Sequence, residues 1–129
     1  MTSIDTAEKP YLICSEPRAD YLYVHVSGET DTLEISLQFW REIRDLSRRH
    51  NALKVLVLEN FQNTLDIIDI YALNNRVSQM GFFNTRIAFV DEQTDQFDLN
   101  VFGANICANK GLKIRVFKNL AEAEKWLQT

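Results

Sequence analysis

Two cysteines, two prolines, four glycines and two histidines are all that this 129-residue chain holds of the residues that most often carry special chemistry or interrupt regular structure. Cys14 and Cys107 stand far apart with no CxxC spacing. That excludes a disulfide framework and the paired-ligand pattern of a structural zinc site. Both have apolar neighbours and are expected as small buried hydrophobes. So little glycine and proline excludes a collagen-like or low-complexity chain. No apolar run approaches the roughly 20 residues needed to cross a bilayer. The opening residues, Met1-Thr2-Ser3-Ile4-Asp5, have neither the basic nor the apolar segment of a secretory signal. Fourteen Lys and Arg against 18 Asp and Glu leave a net charge of −4. Without a broad positive field, neither nucleic acid nor an anionic membrane is an expected partner. The expectation is a cytoplasmic protein.

The chain does have grease: 46% of its residues are hydrophobic and 11% aromatic, which excludes intrinsic disorder. This length suits one domain, expected over residues 10–128, with residues 1–9 polar and frayed. Tyr11–Cys14 reads as a short strand. Tyr21–Val26 alternates cleanly, with Leu22, Val24 and Val26 on one face and Tyr21, Tyr23 and His25 on the other. Asp31 with Glu34 resembles a capping box, after which Leu33, Leu37, Trp40, Ile43 and Leu46 recur at helical spacing. Leu53–Leu58 is a nearly continuous apolar strand of the kind covered on both faces. Thr64 is placed to cap a second helix reaching Met80 and Gly81. Arg86–Val90 is a further central strand, a third helix spans Thr94–Asn109, and Leu112–Phe117 alternates as an edge strand. Asn119 with Glu122 opens a last helix.

The order is β-β-α-β-α-β-α-β-α: an α/β domain with a mixed, mostly parallel five-stranded sheet whose first strand is antiparallel. In such sheets ligands collect beyond the carboxyl ends of the strands. There the sequence puts the rim candidates Glu59, Asn63, Thr64, Asp91 and Glu92, together with Glu29, Asp31 and Asp95. No loop is glycine-rich, so no phosphate cradle of the Rossmann or P-loop kind is present. A magnesium-type site on that acidic rim is the expectation of an alternative enzymatic reading. Acids at strand ends and helix starts more often serve as caps and solvated loops, so no metal site is expected. There is no nucleophile elbow, HExxH or paired Cys/His spacing, no catalytic residue is expected, and no cofactor is implied. His25 is expected as a satisfied structural histidine.

The positive signal is apolar surplus. The second and third helices each carry a stripe beyond the one that faces the sheet. Ile67, Ile70 and Leu73 on the second, with Leu99, Phe102 and Ile106 on the third, are therefore the candidates for binding a partner or ligand.

The element order, the strand Arg86-Ile87-Ala88-Phe89-Val90 and the ending Val116-Phe117-Lys118-Asn119-Leu120-Ala121-Glu122-Ala123-Glu124-Lys125-Trp126-Leu127 together resemble the small SpoIIAA-like bacterial proteins of the STAS and lipid-transfer type. The resemblance covers roughly residues 10–128 and is most specific in the C-terminal third. It implies a domain that acts by binding. In the better-known relatives, the anti-anti-sigma factors, a serine at the start of the second helix, within a motif like Asp-Ser-x-Gly, is phosphorylated by a kinase partner. The matching stretch here, Gln62–Asp69, has neither that serine nor that glycine. Thr64 is its only hydroxyl, so the phospho-switch is not carried over. The expectation is a non-enzymatic cytoplasmic protein-binding or regulatory module that contacts a protein partner or forms a homodimer. The alternative is a carrier of a small apolar or lipid-like ligand.

Overall fold

The computed structural model describes residues 9–129, so the expected fraying of the first residues falls outside it for all but Lys9. Strands β1 (Leu12–Pro17) and β2 (Leu22–Thr30) lead into helix α1 (Leu33–Arg49). Strand β3 (Lys54–Asn63), helix α2 (Ile67–Val77) and strand β4 (Arg86–Asp91) come next. A 3-10 turn (Thr94–Gln96), helix α3 (Phe97–Asn109), strand β5 (Lys113–Phe117) and helix α4 (Leu120–Leu127) complete the chain. The five strands form one sheet in sequence order. β1 runs antiparallel to β2, and every later pair is parallel. The expected α/β architecture is the observed one.

Sequential strand order fixes the layering. A right-handed crossover between neighbouring parallel strands returns on the same side each time, so α1, α2 and α3 cover one face. Their Phe39, Trp40, Leu73 and Cys107 bury against Val24, Val57 and Phe89. Helix α4 comes after the last strand and covers the opposite face, where Ala123 and Leu127 pack on Leu56, Leu58, Ala88 and Val90.

Several boundaries differ from those expected, mostly at the carboxyl end of the sheet. Thr32, not Asp31, caps α1, accepting from the Ile35 N–H at 3.1 Å. Asp66, not Thr64, caps α2, accepting from the Asp69 N–H at 2.9 Å. That helix ends at Val77 rather than Met80. Asn119 caps α4 as expected, accepting from the Glu122 N–H. β3 continues five residues past Leu58 because β2 pairs with it as far as Thr30 and Asn63. The Asp31 N–H extends this by donating to the Asn63 carbonyl at 2.8 Å. Backbone pairing thus draws a polar segment into the sheet, and Glu59 becomes a strand residue instead of a loop residue. Cys14 lies exposed on edge strand β1, contrary to the expectation of burial, while Cys107 is buried.

Candidate functional site

Parallel register sets Val26, Glu59 and Asp91 in one row across β2, β3 and β4. Asp31 stands one residue beyond the end of β2. Side chains in such a row leave the sheet on the same side, here beneath the helices. Asp31, Glu59 and Asp91 are 8%, 8% and 7% exposed, a degree of burial that carboxyl groups rarely reach without a partner. They line a cavity of about 50 Å³ between the sheet, α1, α2 and α3. At about 10–15 Å³ for each water-sized sphere, that is room for roughly four. Trp40, Ile70, Leu73, Phe89, Ile114 and Val116 supply the apolar wall.

The three acids are unequally provided for. The Ser36 hydroxyl lies 2.8 Å from both Asp31 oxygens. Asp91 accepts from the Gln93 N–H and from the Asn100 side-chain amide, each at 2.9 Å. Among the described residues, the Glu59 carboxyl receives no hydrogen bond, and its oxygens are not fully enclosed. Burial raises the Asp31 carboxyl to about 6 even though the Ser36 hydroxyl holds it down. Burial also raises Asp91 against its bonds to Asn100 and Gln93. Glu59 is pushed well up, first by burial and then by the charges of Asp31 and Asp91. Desolvation and two neighbouring acids disfavour the charged form of Glu59, so this site favours whatever would neutralise it.

The structure divides the expected site residues. Glu59, Thr64 and Asp91 meet at the cavity with Ile70 and Leu73, which are buried and face inward rather than toward a partner. Asn63 stays at the exposed rim, its side-chain amide donating to the Thr30 hydroxyl at 3.1 Å. Glu92 is also exposed and accepts from Asn60 at 3.3 Å. Leu99 is half-buried against the main core, and Ile106 is half-buried as well. Ile67 and Phe102 are exposed, at 52% and 39%. His25 is not satisfied as expected: its Nε2 is buried with no hydrogen-bond partner among the described residues, 3.6 Å from a Glu92 oxygen.

Sequence reasoning did not place Ser36, Trp40 or Asn100 at the site. Ser36 had a legible signal, a hydroxyl within the apolar stripe of α1 and five residues after an acid. Asn100 had none, because its bond to Asp91 depends on how α3 docks.

No family model matches the chain, and no curated protein matches it. Among solved structures, the NMR structure of the protein TM1081 is similar to it, with 12% sequence identity and a TM-score of 0.49. That similarity covers 91% of this chain and 89% of that one.

No helix among the described residues is long and apolar enough to cross a membrane. No group of three or more His, Cys, Asp or Glu among them is placed to hold a metal ion. The cavity acids can accept protons or pair with a cationic group.

Proposed function

We propose that the chain is a non-enzymatic cytoplasmic binding module of the STAS-like type that docks a protein partner, or a second copy of itself, on the first turns of α2. One observation carries this reading: Ile67, Ile68 and Tyr71 are 52%, 74% and 57% exposed. Positions three and four apart on a helix are surface neighbours, so these side chains make one continuous apolar patch. Phe102, 39% exposed, stands on α3, the helix packed against α2. Grouped exposed apolar side chains of this size mark contact sites. The patch overlaps the stretch Gln62–Asp69 that corresponds, in the resemblance, to the start of the second helix. Thr64 lines the cavity and does not cap the helix, which gives a phosphate switch at that position no support.

The alternative, a carrier of a lipid-like molecule, finds little room in this cavity. Pockets for such ligands typically measure about 300–1,000 Å³, against its about 50 Å³. The wider hollows, of about 310 and 450 Å³, lie elsewhere on the surface.

The test is the double substitution Ile68→Asp with Tyr71→Asp. Both positions are exposed, so the circular dichroism spectrum and melting temperature should match the parent. Sedimentation velocity at high micromolar concentration, together with affinity capture read by mass spectrometry, should show the parent in a dimer or specific complex that the variant loses. A parent that stays monomeric and captures nothing beyond what the variant captures defeats the proposal.

A further inference from the structure

The cavity is a different surface from the α2 patch, so its ligand chemistry holds or fails independently of partner docking. We infer that this cavity receives a single guanidinium or primary ammonium group, with the Glu59 carboxylate as its counter-charge.

Glu59 is the first ground. It is 8% exposed, lies on the cavity wall, and its carboxyl receives no hydrogen bond from any described residue. Its two neighbours are already engaged: Asp31 by Ser36, Asp91 by Gln93 and Asn100. Glu59 is therefore the carboxyl with no donor of its own, flanked by two more acids that deepen the negative potential.

Size is the second ground. About 50 Å³ admits a head group of about four heavy atoms. A guanidinium has four. A nucleotide or an acyl chain has many more.

The wall supplies the third. Trp40 and Phe89 both line the cavity, stacked with ring centroids 6.2 Å apart and planes 23° from parallel. Aromatic rings attract organic cations through their quadrupoles, whereas Mg²⁺ demands a shell of oxygen ligands in octahedral array. Ile70, Leu73, Ile114 and Val116 offer apolar contact to the short stem of an alkylated cation. Carboxylate, aromatic lining and apolar stem-site together fit an organic cation better than a metal or an anion.

The experiment titrates methylguanidinium and n-propylammonium into protein carrying Trp126→Phe. Trp40 is then the only indole left, and its fluorescence reports on the cavity. Methylurea and n-propanol serve as neutral isosteres, and Mg²⁺ and Mn²⁺ as metal controls. The expected result is saturable quenching by the organic cations only, about tenfold or more weaker in Glu59→Gln and unchanged in Asp45→Asn, which removes an exposed acid on α1. Removing a buried unpaired charge should leave the Glu59→Gln melting temperature at or above the parent, so lost binding cannot be read as lost folding. Equal responses to the neutral isosteres, equal affinity in Glu59→Gln, or saturable binding of a divalent cation alone would each overturn the inference. N-acetylarginine methylamide separates the two sources of such a group. If it binds like methylguanidinium, the cavity admits an arginine presented by another chain. If it is excluded while methylguanidinium binds, the group arrives on a free small molecule. Either result sustains the head-group assignment.

Discussion

Glu59 and Asp91 are direct register partners on β3 and β4, so two acidic residues, each more than nine-tenths buried, leave the sheet side by side. Like charges at that spacing disfavour double ionisation. The fold keeps the pair at the helix-covered carboxyl end of the sheet, the region where parallel sheets usually meet their ligands.

That arrangement makes stability depend on pH in a direction opposite to ordinary acid denaturation. The Asp31 carboxyl moves from 3.8 to about 6 on folding. Between those values the folded chain holds more protons than the unfolded one, so stability falls as pH rises through the window of about 4 to 6. Glu59 and Asp91 are raised as well and act in the same sense. Asp31→Asn keeps an acceptor for Ser36 and should raise stability at pH 7 by about 1–3 kcal/mol, with little gain near pH 4. Urea unfolding at both values checks this. A gain of equal size at pH 4 would show that the effect is not ionisation.

Gly103 sets how closely α3 approaches α2. A Cβ at that position would collide with the Asn74 side-chain nitrogen and stand 3.0 Å from Cγ2 of Ile70. Asn74 has little freedom to yield, since it donates to the Ile70 carbonyl at 2.9 Å and contacts the Cys107 sulfur at 3.3 Å. Gly103→Ala should cost about 1–3 kcal/mol, despite alanine's better helix propensity. A denaturation midpoint at or above the parent's would mean that the helices part freely.

The two thiols should behave differently. Cys14 is exposed on β1, whereas Cys107 is buried with its thiol pushed up to about 12 by burial. Thiolate is the reactive form, so a disulfide reagent should modify one cysteine promptly in native protein and the second only after unfolding. Cys14→Ser should abolish the prompt phase. Two equal rates would contradict the burial of Cys107.

Leu127 closes the second face of the sheet with no exposed surface. Truncating it to alanine should cost about 2–5 kcal/mol, measured by thermal or urea unfolding. A cost below about 1 kcal/mol, under the usual range for a buried leucine, would show that α4 is a dispensable flap over β3 to β5.

Much of the fold could be read from local pattern. Alternation marked β2 and β5, helical spacing marked the inner face of α1, and Asn119 with Glu122 marked the start of α4 correctly. The errors cluster at one end of the sheet. Thr64 looked like a cap because it is a hydroxyl before an apolar run, yet Asp66, two residues on, makes the bond. Ile70 and Leu73 looked like surplus surface, yet they are buried against the cavity. The apolar count of α2 is right, but the outward share falls on Ile67, Ile68 and Tyr71. The rotation of a helix that is apolar nearly all round cannot be fixed by its own periodicity.

What the sequence determined alone was the succession of strands and helices, and with it a mostly parallel sheet with an antiparallel first strand. Those come from hydrophobic period and from chain chirality, which are local. The order of strands across the sheet came from the structure. Only the tertiary structure turned Asp31, Glu59 and Asp91 from rim residues into buried neighbours. Their burial depends on strand pairing that runs past the apolar segment of β3 and on three helices closing overhead, and no short stretch of chain encodes either.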